Sequence, residues 1–385
     1  MVQGQDLSRV KIRLSKPYFG DKQNLMTMIE DILECGFLVQ GNHVAQFEKR
    51  VAEYLGVNHA VAVSSGTAAL HIALVALGIG PGDEVIVPAY TFPATANVVE
   101  RVGGEPVFMD IDLNTYTIQA DNITKAISPR TKAIIPVHLF GNPSDMDLIM
   151  EVASARGLSV VEDAAGALGS EYKREKCGTM GTLGCFSFHP RKIITTGEGG
   201  MVVTGDDLLV ESLRRLRNHG MKAAGPVLDL VMPGFNYRLS ETGAALGLSQ
   251  VNDLQDRIIE RQKLARYYKN LLEHIPEVSV QSAQVGATEA WQAFVVRLRE
   301  RKNGPIIKRL KEKGIETTIG THALHVLRFY QKKYDFLPSD YPNAARLFAE
   351  CLALPFYNGM SLQMIEEVVK VLKETLDENR TSEGE

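Results

Sequence analysis

Along the first two hundred positions the apolar residues follow two alternating rhythms. Short, nearly unbroken apolar and β-branched runs occur at 60–64, 84–88, 106–110, 133–138, 158–162, 184–188 and 201–204. Such runs predict strands buried on both faces, the condition of strands inside a largely parallel sheet. Between them, 67–77, 94–102, 146–155 and 208–218 repeat their apolar residues at three- and four-residue spacing, which predicts amphipathic helices. This strand–helix alternation predicts an α/β fold whose large domain holds a mostly parallel seven-stranded sheet flanked by helices.

The rhythm changes near residue 250. A long helical segment at about 240–274 precedes a strand-like run at 290–298, a helix near 306–313 and a last helix near 362–376. This pattern predicts a smaller α+β C-terminal domain. The expected organisation is an N-terminal arm over 1–20, a large domain over 21–250 and a small domain over 251–385. The polar, charged tail 377–385 is expected to fray.

Composition narrows the class. At 385 residues, with 45% hydrophobic and 23% charged residues, the chain is long enough for two cores that need no staples. A formal net charge of −4 argues against a nucleic-acid partner, which calls for a basic excess. Cys35, Cys177, Cys185 and Cys351 stand apart, without C-x-x-C or zinc-finger spacing, so no metal site is expected. The first twenty residues are polar and charged, and no run of about 18 apolar residues occurs. No membrane partner and a cytoplasmic location are therefore expected.

Three stretches carry candidate chemistry. In Ser64-Ser65-Gly66-Thr67-Ala68-Ala69-Leu70 a strand gives way to a helix. Free N–H groups there suit an anion, and glycine allows close approach; the hydroxyls serve equally well as helix caps. In Val160-Val161-Glu162-Asp163-Ala164-Ala165 an apolar strand ends in two acids followed by small residues. An aspartate at the carboxyl end of a sheet strand can pair with a protonated ring nitrogen, or simply cap a turn. In the segment 186–200, Lys192 follows a strand end and precedes a Thr/Gly-rich loop. Most lysines are solvated surface residues, but one set among aromatics and glycines is partly desolvated, which favours the neutral nucleophilic amine.

Further stretches join these in order: Pro88-Ala89-Tyr90-Thr91-Phe92-Pro93-Ala94-Thr95, His138-Leu139-Phe140-Gly141, Gly234-Phe235-Asn236-Tyr237-Arg238 and Leu354-Pro355-Phe356-Tyr357. Together the stretches, from Ile12 to about Val371, resemble the DegT/DnrJ/EryC1/StrS family of sugar aminotransferases, within the fold-type I pyridoxal 5'-phosphate (PLP) enzymes. The resemblance implies PLP as cofactor and Lys192 as the Schiff-base lysine that later moves a proton. It implies Asp163 as the acid that keeps the pyridine nitrogen protonated. Ser65, Gly66, Thr67 and Ser187 resemble cofactor-binding positions, the last three at its phosphate. Phe92 resembles the aromatic that stacks on the ring. Asn236 resembles a residue that reaches the phosphate of the neighbouring subunit's cofactor, which implies a homodimer with shared sites. His325 and Arg238 resemble substrate-side residues.

The implied reaction moves an amino group from L-glutamate to a 3-keto or 4-keto hexose on a nucleotide. A keto-cyclitol acceptor and a non-catalytic PLP-binding regulator are the alternative readings. One position departs from the pattern. Gly166 stands where many relatives carry Gln or His against the cofactor. The family also includes dehydratases with His in place of the lysine; Lys192 argues for transamination, with His189 three residues away.

Overall fold

A computed structural model describes residues 10–382. Helices α1 (Lys22–Cys35) and α2 (Asn42–Leu55) precede the first strand. The chain then lays down β1 (His59–Val63), α3 (Gly66–Ala76), β2 (Glu84–Pro88), α4 (Ala94–Arg101) and β3 (Glu105–Met109). It continues with β4 (Thr131–Ile134), α5 (Met146–Arg156), β5 (Ser159–Asp163), β6 (Leu183–Ser187), β7 (Gly200–Thr204) and α6 (Asp207–Arg217). These seven strands form one sheet in the order β1-β7-β6-β5-β4-β2-β3. All neighbours are parallel except β7, which runs antiparallel to both β1 and β6.

Both faces of the sheet are covered, which explains the unbroken apolar runs. Val61 and Val63 of β1 pack into a core shared with α3 and α6, whereas Ala60 and Ala62 join a core shared with Phe47 of α2 and Phe186 and Phe188 near β6. Ile86, Ile134 and Val160 meet Met146 and Ile149 of α5 in a third cluster. Alternate residues of one strand thus serve opposite layers.

After residue 240 come α7 (Glu241–Val251), α8 (Leu254–Leu272), β8 (Val278–Val280), β9 (Phe294–Leu298), α9 (Asn303–Glu312), β10 (Thr318–Ile319), α10 (Pro342–Glu350), β11 (Cys351–Leu354) and α11 (Leu362–Ser382). The four short strands form an antiparallel sheet in the order β8-β9-β11-β10. Its core gathers Tyr268 of α8, Phe294 of β9, Phe356, and Ile365, Val368 and Leu372 of α11. Ile12 joins the same cluster and bridges to Ile315, so the N-terminal segment lies against C-terminal residues.

The helical segment expected over 240–274 is two helices. Asn252 and Asp253 separate them, residue types whose side chains compete for backbone hydrogen bonds and favour helix ends. The halves also differ in surroundings: α7 is small-residue rich, and a Cβ on Gly247 would sit 2.7 Å from the Phe47 ring of α2. The tail expected to fray continues α11 as far as Ser382, and 383–385 lie outside the described residues. A hairpin pairs Met221–Ala224 with Val227–Leu230, its turn made possible by Gly225 at φ +64°. Both of its strands are exposed throughout.

Candidate active site

The candidate residues converge on the carboxyl edge of the large sheet. Register fixes the line: Ser187 at the end of β6 pairs with Gly200 of β7, and Gly200 pairs with Val63 at the end of β1. Asp163 ends β5 and pairs with Cys185, two residues before Ser187. Carboxyl ends of strands are where open α/β sheets gather ligands.

Two glycines bring the chain into α3 close to this edge. A Cβ on Gly66 would lie 2.8 Å from Ser187 Cβ, and one on Gly200 would lie 2.3 Å from the Ser65 carbonyl oxygen. Neither site has room for a side chain. The first turn of α3 is thereby set directly beside the Ser187 hydroxyl. Ser65 is the N-cap of α3, its hydroxyl accepting from Ala68 N–H at 3.0 Å, while Thr67 is exposed in the first turn. N–H groups of Gly66 and Thr67 stay free of the helix ladder, an arrangement suited to a phosphate.

Asp163 is buried and held at both oxygens. Oδ2 accepts from the Thr95 hydroxyl at 2.8 Å, and Oδ1 accepts from Ala165 N–H at 3.2 Å. Thr95 in turn pairs with Thr91 at 3.1 Å. Burial raises the Asp163 pKa above the usual carboxylate range; the two hydrogen bonds and the charges of Lys192 and His138 work against that rise. Phe92 precedes Thr95 in the same turn, with Thr95 N–H donating to the Phe92 carbonyl at 3.2 Å. Phe92 is 62% exposed, which leaves its side chain open for stacking.

Lys192 lies in an irregular loop between β6 and β7. The loop is anchored by buried Ile193 and Ile194 and by Thr195, whose hydroxyl donates to the Phe188 carbonyl at 2.8 Å. Gln250 of α7 clamps the same residue, accepting from Thr195 N–H at 3.2 Å and donating to its carbonyl at 2.8 Å. Burial lowers the Lys192 pKa; Asp163 opposes the shift and Arg191 adds to it. Lys192 lines a small cavity together with Ala165, Gly166, Ser187 and Gln292. His189 is committed to the loop itself: its Nδ1 accepts from Arg191 N–H at 3.2 Å.

Three sequence candidates lie off this cluster. Asn236 is exposed, and its Oδ1 accepts from Arg238 Nε at 3.1 Å; Arg238 Nη1 also reaches Asn218 Oδ1 at 3.1 Å. Neither lines the Lys192 cavity. His325 is fully buried, edge-on to Tyr341 at 5.0 Å, and neither ring nitrogen has a hydrogen-bond partner among the described residues. The histidine brought beside Phe92 is instead His322, with ring centroids 6.3 Å apart, because His322–Ala323 pairs with Tyr90–Thr91 in a two-residue ladder. The sequence signal was present in two histidines three residues apart, but the side facing Phe92 depends on that ladder. Thr95 and Gln292 were also missed, since an isolated Thr or Gln carries no motif.

The donor set fits PLP: a desolvated amine, a fixed buried carboxylate, an exposed aromatic face, and a helix N-terminus with an adjacent hydroxyl. The comparisons agree. Residues 20–373 match the DegT/DnrJ/EryC1/StrS aminotransferase family. The chain belongs to this family. A spore coat polysaccharide biosynthesis protein, SpsC of Bacillus subtilis (strain 168), is 37% identical over 374 residues, covering 94% of this chain and 96% of that protein. The S. venezuelae DesV structure is 34% identical with a TM-score of 0.86, covering 92% of this chain and 94% of its own. A Streptococcus pneumoniae protein assigned as a sugar aminotransferase, solved in its PLP form, is 27% identical with a TM-score of 0.90, covering 95% and 99%. The DegT/DnrJ/EryC1/StrS chain described here is accordingly a PLP-dependent aminotransferase with the α/β fold of these enzymes.

Proposed function

We propose that this aminotransferase moves an amino group from L-glutamate to the keto carbon of a 3-keto or 4-keto hexose carried on a nucleotide. It serves amino-sugar or polysaccharide biosynthesis, and acts in the cytoplasm as a homodimer. The observation that carries the reading is the nearly full-length likeness to SpsC, a polysaccharide biosynthesis protein. Among the described residues no helix is long and apolar enough to cross a membrane.

Each residue of the site has work in such a transfer. Lys192, its pKa lowered by burial, offers a neutral amine to bond the cofactor and then to carry a proton at the reacting carbon. Asp163 holds a proton on the ring nitrogen, and Thr95 with Ala165 N–H keeps that carboxylate aimed. Gly66, Thr67 and Ser187 would hold the phosphate, with Ser65 fixing the turn of α3 that presents the first two, and Phe92 would offer its exposed face to the ring. Bound PLP would supply a ring that takes up the electron pair released at the reacting carbon. Half-buried Arg238 and exposed Asn236, hydrogen-bonded to one another, are assigned to groups arriving from outside the chain, Asn236 to the partner subunit's phosphate site.

The test is a panel of 3-keto and 4-keto sugar nucleotides and keto-cyclitols incubated with the enzyme and glutamate, with 2-oxoglutarate and aminated product measured. Turnover with a sugar nucleotide is expected. Turnover confined to a keto-cyclitol transfers the assignment to that substrate, and release of no 2-oxoglutarate with any acceptor defeats the glutamate reading.

A further inference from the structure

Gly166 and Gln292 share one volume beside the candidate lysine. The three atoms nearest to a Cβ built on Gly166 all belong to the Gln292 side chain, with Oε1 at 3.2 Å, Cγ at 3.7 Å and Cβ at 3.8 Å. The space that a side chain at 166 would fill is thus approached by an amide from residue 292, which Ala293 alone separates from β9. Both residues line the cavity with Lys192. The amide is tethered: Nε2 donates to the Arg191 carbonyl at 2.9 Å, the residue before Lys192. The backbone of Gln292 is fixed too, its N–H donating to the Phe140 carbonyl at 3.0 Å and its carbonyl accepting from Arg261 Nη2 at 2.8 Å. Gln292 Oε1 is the atom that a Cβ at 166 would approach most closely.

We propose that Gln292 is a positioning residue for Lys192, holding the near end of its loop through the Arg191 carbonyl while Gly166 leaves the room that this reach requires. Gln250 holds the far end at Thr195, so the lysine is suspended between two amides. Without the Gln292 tether, the exposed Arg191 carbonyl turns to water and the Lys192 amine is aimed less consistently. The inference rests on Lys192 as the cofactor lysine. The charged and titratable groups acting on that amine are Asp163 from β5, Arg191 in its own loop, and His189, which itself senses the Lys192 charge.

The experiment mixes cofactor-free protein with PLP across a pH series and follows the visible band of the lysine-linked cofactor as it appears. The rate rises as the amine loses its proton, so the midpoint reports the Lys192 amine and the plateau reports its aim. Gln292→Leu is expected to lower the plateau about two- to tenfold, the loss of one hydrogen bond. Gln292→Glu, which sets a carboxylate against the Arg191 carbonyl and near the amine, is expected to move the midpoint to higher pH as well. Gly166→Ala, whose methyl must push the tethered amide, is expected to lower the plateau alone but to have little further effect in a Gln292→Ala background. A purely structural role would lower thermal stability in these variants and leave midpoint and plateau of the folded protein unchanged, which overturns the proposal. Lys192→Ala, run in parallel, separates the two claims: a band that persists without Lys192 overturns the lysine assignment itself.

Discussion

Asp163 and Lys192 are mismatched to their surroundings in opposite senses, and this bears directly on experiment. Burial makes the charged form of each costly, raising the acid's pKa and lowering the amine's. Asp163→Asn keeps shape and hydrogen bonds: Asn Oδ1 can accept from Ala165 N–H, and its NH₂ can donate to the Thr95 hydroxyl, which turns to Thr91. Turnover in the Asn variant is expected to fall by about 10²–10³-fold, because the ring nitrogen loses its acid partner. A loss below tenfold would assign the ring proton to another group. Stability should move the other way. Since the folded Asp163 pKa is raised, its contribution is fully present below the unfolded value near the usual carboxylate range and is lost as pH rises through the folded value. Cofactor-free Asp163→Asn is therefore expected to match the parent in acid and to melt higher than the parent at neutral pH. A variant that melts lower at neutral pH would show that the charge is favourable in place. Lys192→Ala is expected to abolish both turnover and the visible band of the bound cofactor, and near-normal turnover would remove the central assignment.

At the level of elements, the end of β5 is positioned by the residue before Asp163. Glu162 is fully buried and accepts from Gly178, Met180 and Gly181 N–H at 2.7, 2.7 and 2.6 Å and from His138 Nε2 at 2.8 Å. His138 Nδ1 accepts from Ser144 N–H at 3.1 Å, which places the ring proton on Nε2. All four partners donate, so an amide in place of the carboxylate must point its NH₂ at donors. Glu162→Gln is expected to destabilise the protein by about 2–4 kcal/mol in urea unfolding at neutral pH, in contrast to its neighbour. A change under about 0.5 kcal/mol, the level of an ordinary surface substitution, would mean the cradle re-pairs at no cost. The strand itself was legible in the sequence, because burial on both faces writes an unbroken apolar run. What the run does not carry is which of two adjacent acids turns to Thr95 and which to the Gly178–Gly181 loop. The same limit applies to the helix expected over 240–274, whose break lies at two polar residues within a continuing helical rhythm. It applies again to His322 and His325, whose different fates are set by a two-residue ladder to a strand more than two hundred positions away. The hairpin over 221–230 left no apolar alternation to read because neither of its strands is buried.

For the whole molecule the open question is how many chains complete one site. Several large apolar side chains lie uncovered: Phe37, Leu38 and Val39 after α1, and Val227, Leu228 and Leu230 in the hairpin. Such surface favours association, and closed two-fold dimers are the usual outcome. Within its own chain, the Asn236 segment runs beside the β1–α3 turn, with Ser64 N–H donating to the Tyr237 carbonyl at 2.8 Å, while the Asn236 side chain is exposed. The proposed dimer assigns Asn236 to the phosphate site of the partner subunit, the β1–α3 turn of its own chain being the competing site, and a complementation experiment decides the matter. Inactive Lys192→Ala protein is mixed with a strongly impaired Asn236→Ala variant and the subunits are allowed to exchange. If sites are shared, each mixed dimer contains one pocket in which Lys192 and Asn236 are both native, and one pocket that carries both defects. Equal mixing then restores about a quarter of the parent activity, since about half of the dimers are mixed and each holds one intact site of two. If Lys192 and Asn236 serve the same subunit's pocket, no new native pairing arises and activity stays at the average of the two homodimers. Absence of a gain, with exchange confirmed by differently tagged subunits, rejects the shared site and leaves Asn236 as a partner of Arg238 on its own surface.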